Sequence, residues 1–266
     1  MTRYIGIFSG KGGVGKTSTS ISLGAALSNF GKDVIVVDTN LTTPNVGIHL
    51  GFPVAPVHLH HVLQGKSKIK DAIYVHPRGT KIVPASIAIE DLENIRPERL
   101  PKAIKELGKL SPDFVIVDGA AGLGQEALNA MDAVDEIIII TNPELPSITD
   151  ALRTIAIAKK KKKDVLGVVV SRAKSRSLDV PLPNVETLLD HPVIGVVPED
   201  RAMREALVLK DSVIFTHPRS RSAVAYKRLA ANLIGIEYNE RPEVKNRDIF
   251  SVMRQFFLDI GLMKKK

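Results

Sequence analysis

The sequence contains no cysteine, no apolar run long enough to cross a membrane and no N-terminal signal pattern. Without cysteine, structural disulfides, thiolate zinc sites and cysteine-ligated iron–sulfur clusters are excluded. A transmembrane helix needs about 20 predominantly apolar residues in a row, and residues 1–3 lead directly into an apolar segment expected to be the first strand. We therefore expect a cytoplasmic protein.

Size and charge narrow the class of protein further. The 266 residues are 44% hydrophobic, which is enough for the buried core of a single α/β domain. The net charge of +8 favours an anionic partner, either a membrane surface or a nucleic acid. Residues 241–266 hold seven basic and three acidic residues, so half of the excess positive charge lies in this C-terminal tail.

A glycine-rich loop over residues 9–18 lies between an apolar run and an amphipathic stretch, in the order expected of strand, loop and helix. Within it, Gly10, Gly15, Lys16 and Thr17 satisfy the pattern G-x-x-x-x-G-K-[ST] in the context that this pattern requires. The loop therefore predicts a nucleotide site. The alternative is an ordinary glycine-rich turn between a strand and a helix.

The residue types of this loop have separate expected roles. Glycine permits positive φ and close approach of the backbone, so that successive N–H groups and the helix N-terminus surround a triphosphate. We expect Lys16 to reach the β and γ phosphates, Thr17 to offer its hydroxyl to Mg²⁺ and Ser18 to contact the α phosphate. The backbone of the loop is expected to bind phosphate at Gly10, Gly12, Gly13, Val14 and Gly15.

One further residue identifies a family. Lys11 is a second lysine in the loop, and the string Lys-Gly-Gly-Val-Gly-Lys-Thr over 11–17 resembles the deviant Walker A signature of the MinD/ParA family. This resemblance implies ATP and Mg²⁺ as cofactors and an ATP-dependent homodimer in which Lys11 reaches the partner's phosphates. A solvated loop lysine is the alternative. The absence of cysteine separates the chain from the nitrogenase iron protein and the Mrp-type relatives with CxxC motifs.

The segment that follows the second predicted strand departs from the family pattern. Residues 32–38 contain a continuous apolar, β-branched run that predicts a buried parallel strand ending at Asp38. Relatives usually have Asp-x-Asp-x-x-x-x-Asn here, but this chain has Asn40 at the second aspartate, while Asn45 is kept. By resemblance the catalytic residues are Lys11, Lys16, Asp38, Asn40 and Asn45. Because Asn40 cannot accept a proton from water, weak or deficient hydrolysis is a hypothesis, whether the residue is natural or engineered.

Residues 114–118 predict another buried strand that ends in an aspartate. With the glycine-rich residues after it, this strand resembles the Walker B and switch II segment Asp-x-Pro-Ala-Gly, with Ala120 in place of proline. The resemblance implies that Asp118 holds Mg²⁺ through water and that the Gly122 N–H meets the γ phosphate. The expected metal residues are therefore Thr17, Asp38 and Asp118.

Two later segments are expected to contact the base. Ser171 and Arg172 stand where relatives commonly have Asn-Arg, and Pro198, Glu199 and Asp200 match the family segment that flanks the base. Because Ser171 offers fewer hydrogen bonds than asparagine, base selectivity is less secure than triphosphate binding.

Three charged or histidine-rich features have competing interpretations. His58 and His61 are one turn apart on a short predicted helix and would suit a metal, but with no third ligand at a matched spacing an exposed helix face is favoured. The lysines at 159–163 are interpreted as a solvated helix end rather than a binding patch. Residues 172–176, a predicted loop, contribute three further basic residues to this part of the chain.

The order of the predicted elements favours a doubly wound, mostly parallel sheet flanked by helices, with ligand loops at the carboxyl ends of the strands. We expect residues 1–237 to form the P-loop ATPase domain, 238–248 a linker and 249–266 an amphipathic membrane-targeting helix. The residues of that helix expected to contact the membrane are Ile249, Phe250, Met253, Phe256, Phe257, Ile260, Met263, Lys264, Lys265 and Lys266.

The favoured function is that of a MinD-like ATPase, cytoplasmic and peripheral at the inner face of the cell membrane, which positions a division site or another complex. Its expected partners are a second copy of the chain, an anionic membrane surface and an unidentified regulator or cargo protein. A ParA-like ATPase that binds nucleoid DNA is the alternative, and the apolar stripe of 249–266 argues against it because such residues suit an acyl boundary. The second alternative is a nucleotide-gated adaptor of the FlhG type with negligible turnover, which Asn40 favours.

Overall fold

A single mixed β-sheet forms the centre of the molecule. The structure, a computed structural model, describes residues 1–174 and 180–242. In these residues the strands are β1 (Arg3–Ser9), β2 (Val34–Asp38), β3 (Tyr74–Val75), β4 (Lys81–Val83), β5 (Phe114–Ala121), β6 (Glu136–Thr141), β7 (Asp164–Ala173) and β8 (Val193–Pro198). The helices are α1 (Lys16–Asn29), α2 (Val46–His49), α3 (Leu59–Gln64), α4 (Leu100–Glu106), α5 (Gln125–Asp132), α6 (Leu145–Lys160), α7 (Leu182–Leu189), α8 (Arg201–Val208), α9 (Val213–Thr216) and α10 (Arg221–Ile234).

The strands lie in the order β3-β4-β2-β5-β1-β6-β7-β8. All neighbouring pairs are parallel except β3 with β4. Strands covered by helices on both faces bury every side chain, which explains the continuous Val and Ile runs in the sequence. The predicted doubly wound, mostly parallel sheet is therefore confirmed.

The register of the central strands brings the expected site residues to one edge of the sheet. Asp38 at the end of β2 is the direct partner of Asp118 in β5. Ser9 at the end of β1 pairs with Ala121, which also lies in β5. Since carboxyl ends of parallel strands meet at one edge, the loops after β1, β2 and β5 converge there.

Two hydrophobic layers hold this edge in place. Alternate residues of a strand point to opposite faces of the sheet, and β1 shows the pattern clearly. Ile5 and Ile7 are buried in the layer that α1 and α10 cover, whereas Phe8 is buried in the layer that includes residues of α4, α5 and α6. The glycine-rich loop thus begins at a fully buried strand.

Some elements differ from their predicted extent. The sequence over 98–110 predicts one amphipathic helix introduced by Pro97, but the structure has a 3-10 turn (Pro97–Arg99), α4 and a second 3-10 turn (Leu107–Leu110) in this segment. Pro101 lies in the first turn of α4, where its missing N–H costs nothing, but an α-helix cannot continue through it from the preceding turn. The antiparallel edge strand β3 was not predicted, because two residues show no periodicity.

The C-terminal segment is described only in part. Residues 238–242, at the start of the expected linker, contact the domain: the Tyr238 ring lies edge-on to Phe30 with ring centroids 5.6 Å apart, and Glu240 Oε2 lies 3.2 Å from Lys227 Nζ. The expected membrane-targeting helix over 249–266 lies outside the described residues. None of the helices in 1–174 and 180–242 combines the length and apolarity that crossing a bilayer requires.

Candidate nucleotide and magnesium site

The loop between β1 and α1 depends on glycine at three positions. Gly13 and Gly15 have φ of 78° and 103°, in the left-handed region that other residues rarely adopt. At Gly10 a side chain is excluded by space, because a Cβ would lie 2.4 Å from the Cβ of Asp150 in α6. The loop runs directly into Lys16, the first residue of α1, so the helix N-terminus and the loop together can bind an anion.

Lys16 lies at the base of this loop with only 7% of its surface exposed. Its Nζ donates to Ser9 Oγ at 3.0 Å, and Ser9 Oγ donates to the Lys11 carbonyl at 2.7 Å. Burial lowers the pKa of Lys16, while the charge of Asp118 opposes this shift. Within the described part of the chain Lys16 forms no ion pair, so its charge is available to a bound anion.

Asp38, the last residue of β2, and Asp118, within β5, are fully buried side by side. Asp118 accepts hydrogen bonds from Thr17 Oγ1 at 2.6 Å and Ser20 Oγ at 2.8 Å. Burial raises the pKa of both carboxyl groups, and the charge of Asp118 raises the pKa of Asp38 further. A bound cation would relieve this cost, and the carboxylate and hydroxyl oxygens present are the donors that Mg²⁺ prefers.

Asp38 also fixes the loop over residues 39–45. Its carboxylate accepts from the N–H groups of Asn40 at 3.1 Å and Asn45 and Val46 at 2.9 Å each. The Asn40 side chain is engaged within the loop, since Nδ2 donates to the Thr43 carbonyl at 2.6 Å. Asn45 Nδ2 donates to the same carbonyl at 2.7 Å. The expected catalytic residues Asp38, Asn40 and Asn45 therefore belong to one hydrogen-bonded loop.

Glu126 in the first turn of α5 contacts the loop over residues 39–45 and was not predicted from the sequence. Its carboxylate accepts hydrogen bonds from the N–H groups of Leu41 and Thr42 and from Thr42 Oγ1, the last at 3.2 Å. It thereby joins the loop after β2 to the helix that follows β5. A single acidic residue at a helix start is common, so no pattern in the sequence distinguishes it.

The two remaining loop residues with expected phosphate roles have partners within the chain. The Gly122 N–H donates to the Ser9 carbonyl at 3.1 Å, with φ of 79° at Gly122. The Nζ of Lys11 is 3.7 Å from Glu144 Oε2 in a solvent-accessible pair. Lys11 is thus partly exposed, whereas Lys16 is buried.

A cavity of about 210 Å³ opens beside the loop and shares Gly15 and Ser18 with it. All five residues expected to contact the base line this cavity: Ser171, Arg172, Pro198, Glu199 and Asp200. Met203, Leu207 and Tyr226 also line it and were not predicted. Their apolar and aromatic surfaces suit a planar base.

Two of these lining residues already have structural partners. Ser171 Oγ donates to the Val14 carbonyl, which ties β7 to the glycine-rich loop. Asp200 caps α8 through the Ala202 N–H at 3.1 Å and accepts the Ser222 N–H at 3.0 Å. Burial would raise the pKa of Asp200, but these N–H groups, together with the Ser222 hydroxyl and the charge of Arg221, outweigh burial and hold its pKa below the usual value.

Comparison with known proteins identifies the family. Residues 5–213 match the CobQ/CobB/MinD/ParA nucleotide binding domain. The chain belongs to this family. An uncharacterized ATP-binding protein of Methanocaldococcus jannaschii is 40% identical over 251 residues, which cover 94% of this chain and 95% of that protein. The antiactivator FleN of Pseudomonas aeruginosa is 30% identical over 238 residues, covering 86% and 85%.

A solved structure of a MinD/ParA family member agrees with the fold. The septum site-determining protein MinD of Pyrococcus horikoshii, determined in complex with Mg-ADP, superimposes with a TM-score of 0.84 at 35% identity and covers 88% of this chain and 96% of its own. MinD and ParA proteins are ATP-binding P-loop ATPases, and the predicted membership of the MinD/ParA family is confirmed.

In this MinD/ParA family protein the histidines of α3 are not an exposed helix face, and that part of the sequence analysis was wrong. His58 is 5% exposed and His60 is fully buried. Asp91, on a 3-10 turn (Ile89–Leu92), lies against His58 and His61. Burial, with the charge of His61 next to it, lowers the pKa of His58 to about 4, so its imidazole is neutral at physiological pH.

The lysines at the end of α6 divide into two groups. Lys161 Nζ lies 2.7 Å from Asp132 Oδ1, and Lys163 Nζ donates to the Val134 carbonyl at 2.7 Å. Lys160 and Lys162 are exposed. The segment therefore serves in part to anchor α6 to the turn after α5, which agrees with a helix end more than with a uniform binding patch.

Proposed function

We propose that this chain is a MinD-like ATPase that binds Mg-ATP, dimerises in the ATP-bound state and associates reversibly with the inner face of the cell membrane to position a cellular structure. The observation that carries the proposal is the set of buried charges around residues 9–18. One ammonium group, on Lys16, and two carboxylates, on Asp38 and Asp118, lie where three loops of the sheet meet.

Each group has a distinct role in this proposal. Lys16 binds the β and γ phosphates, Thr17 and Asp118 hold Mg²⁺, and Asp38 orders the loop that positions the attacking water through Asn40 and Asn45. When bound, Mg²⁺ supplies charge that stabilises the transferring phosphoryl group. The remaining contacts come from the loop backbone, Ser18 and Gly122, and from the base cavity lined by Ser171, Arg172 and 198–200.

Dimerisation is assigned to Lys11. The exposed pair with Glu144 is worth at most about 1 kcal/mol, so Lys11 can leave it and reach a partner's phosphates. A charge supplied by a second subunit makes hydrolysis depend on assembly, as an arginine finger does.

Membrane association is assigned to the tail over 249–266, which the structure does not describe. Its support is the apolar stripe of the sequence and the likeness to MinD proteins. One tail is expected to bind weakly, because partial insertion must offset the ordering of the segment. Two tails on one dimer raise avidity by roughly 10² to 10⁴, so ATP would switch membrane binding on and hydrolysis would release it.

The test combines light scattering with co-sedimentation, on the full chain with Mg-ATP, Mg-ADP or no nucleotide. We expect a dimer and sedimentation with anionic vesicles in Mg-ATP only, and no binding to random-sequence DNA at physiological salt. A dimer that sediments with DNA but not with vesicles contradicts the proposal in favour of the ParA-like alternative. A monomer in every condition contradicts ATP-dependent dimerisation.

A second candidate is a nucleotide-gated adaptor with negligible turnover. The engagement of the Asn40 amide with Thr43 favours it, because a side chain bonded inside the loop is not free to activate water. The relative FleN is named an antiactivator, which is a regulatory role of the kind that an adaptor would have. Single-turnover hydrolysis by the ATP dimer separates the two, since an adaptor retains its ATP over the lifetime of the dimer.

A further inference from the structure

A second polar cluster lies away from the residues that surround the glycine-rich loop. It consists of His58, which directly precedes α3, of His61 within α3, and of Asp91, which lies on a separate turn about thirty positions later. The three side chains each present one nitrogen or oxygen atom, and these atoms all lie within 4.8 Å of one another.

The distances inside this cluster suit a metal ion. His58 Nε2 is 3.1 Å from Asp91 Oδ2, and His61 Nε2 is 3.9 Å from Asp91 Oδ1. Tetrahedral ligands placed 2.0 to 2.1 Å from a zinc ion are about 3.4 Å apart, which lies between these two values. The imidazole rings are stacked with centroids 3.8 Å apart and 23° between their planes, whereas a metal ion lies near the plane of each imidazole that binds it. One of the two rings therefore has to rotate before both Nε2 atoms can bind the same ion.

The two ring nitrogens of His58, whose side chain is 94% buried, are used unequally. Its Nε2 faces Asp91, whereas its Nδ1, on the other side of the ring, has no hydrogen-bond partner among the described residues. Such a buried polar atom is uncommon, and here it means that no second hydrogen bond holds the imidazole against the rotation that a metal at Nε2 requires. By contrast, both ring nitrogens of the neighbouring His60 are used, by the Leu41 carbonyl and the Ser86 N–H at 3.0 Å each.

The carboxylate is held in place by partners outside the cluster. Ser86 Oγ donates to Asp91 Oδ2 at 2.5 Å, and Gln64 Nε2 donates to the Asp91 and Glu93 carbonyls at 3.0 and 2.9 Å. Partners of this kind orient metal ligands in known sites. His61 and Asp91 retain 26% and 23% of their side-chain exposure, which leaves an entry path and room for a water ligand.

We propose that His58, His61 and Asp91 form a site for a divalent transition metal ion of the zinc class. Two imidazoles and one carboxylate, with water as a fourth ligand, are a donor set for Zn²⁺, Co²⁺ or Fe²⁺, whereas Mg²⁺ and Ca²⁺ prefer oxygen donors alone. The ion would fix α3 to the turn Ile89–Leu92. Because His60 of the same helix bonds to the Leu41 carbonyl, the metal lies next to the loop over 39–45 and is distinct from the Mg²⁺ position at Asp118.

The test is a Zn²⁺ titration of the untagged full chain without nucleotide, in competition with a chromogenic chelator and with excess Mg²⁺ to occupy oxygen sites. We expect one Zn²⁺ per chain. His61→Ala and Asp91→Asn should weaken binding by at least about 100-fold, since even outer partners of a metal site contribute about 10- to 100-fold. His191→Ala, which removes a partly exposed histidine that contacts the Leu189 carbonyl, is the matched control and should bind as the wild type does.

Co²⁺ provides a measurement that does not depend on the variants' stability. Bound to the wild type, it should give the intense visible absorption of four- or five-coordinate cobalt, and Zn²⁺ should displace it. Wild-type protein that binds no Zn²⁺, that binds it as tightly after His61→Ala, or that gives only the weak spectrum of six-coordinate Co²⁺ overturns the proposal. Circular dichroism of the metal-free variants checks their fold, and both altered side chains are partly exposed, so we expect no change.

Discussion

Asn40 and Thr43 are joined by reciprocal hydrogen bonds that close the loop after β2. The amide Nδ2 of Asn40 donates to the Thr43 carbonyl at 2.6 Å, while Oδ1 accepts from the Thr43 N–H at 3.2 Å and from Thr43 Oγ1 at 3.1 Å. An aspartate at this position could accept the same two bonds but could not donate to the carbonyl, which a carboxylate would repel. The residue type at position 40 therefore affects how firmly the side chain is held inside the loop.

This relationship sharpens a prediction for catalysis. Asn40→Asp should raise turnover at least about 10-fold, or about 1.4 kcal/mol of barrier, because a charged acceptor released from the loop can act on water. Single-turnover hydrolysis at saturating ATP measures the effect. Asn45→Asp is the control: it makes the same charge change in the same loop and loses a bond to the same carbonyl, yet we expect no gain. Equal rates for Asn40→Asp and the wild type would contradict the role assigned to position 40.

The two lysines of the glycine-rich loop should separate nucleotide binding from dimerisation. Lys16→Ala should abolish Mg-ATP binding, because it removes the buried ammonium at the base of the loop. Lys11→Ala should leave monomer affinity within a few fold and abolish the ATP-dependent dimer. Isothermal titration and light scattering measure the two effects.

Glu144→Ala is the control for Lys11. It removes the partner that Lys11 has within the chain, at 3.7 Å, without removing the lysine charge, so dimerisation should persist. A Lys11→Ala protein that still dimerises in ATP contradicts a role of Lys11 across the interface. One that loses nucleotide affinity as completely as Lys16→Ala contradicts the separation of roles, because Lys11 would then bind the nucleotide of its own subunit.

Glu126 should control the order of the loop over 39–45. Glu126→Ala removes the acceptor of the Leu41 and Thr42 N–H groups, and a hydrogen bond to a charged group contributes about 1.5 to 3 kcal/mol. We expect these two amides to exchange with solvent at least about 10-fold faster, measured by hydrogen exchange of the nucleotide-free protein. Gln125→Ala, at the adjacent residue of the same helix, is the control and should leave the exchange of these amides unchanged. If the Leu41 and Thr42 amides are equally protected in both variants, Asp38 alone accounts for the order of the loop.

The tail over 249–266 should be necessary for vesicle binding and dispensable for ATP binding and dimerisation. Deleting it, or substituting Phe256→Glu with Ile260→Glu, should abolish co-sedimentation with anionic vesicles in Mg-ATP, because each large apolar side chain contributes up to about 1.5 to 3 kcal/mol on burial. Ser251→Glu with Gln255→Glu adds equal charge opposite the apolar stripe by helical spacing. This control should reduce vesicle binding far less than the Phe256→Glu and Ile260→Glu pair does. An equal loss would indicate that the tail binds by electrostatic attraction to the anionic surface alone.

The parts of the site that depend on neighbours in sequence were predictable. Gly10, Lys16 and Thr17 have fixed spacing, and Asp38 and Asp118 each end a β-branched run, so pattern alone placed them at one edge of a parallel sheet. The parts that depend on packing were not. Asp91 meets His58 only because the turn Ile89–Leu92 folds onto α3, and Glu126 reaches Leu41 across more than eighty positions of chain. Met203 and Tyr226 line the base cavity from separate helices, and the periodicity of the sequence does not indicate that these helices meet.

The anchoring of α6 limits how strongly salt could affect any contact with DNA. Affinity for duplex DNA falls with salt as counterions return to phosphates, with a slope of about 0.9 in logarithmic units for each phosphate neutralised. Lys161 Nζ and Lys163 Nζ are held by Asp132 and by the Val134 carbonyl, so each would have to leave its partner to meet a phosphate. While both stay in place, the three other lysines of this run, at 159, 160 and 162, could contribute a slope of at most about 3. A steeper dependence would mean that α6 releases these lysines or that other parts of the chain contact the DNA.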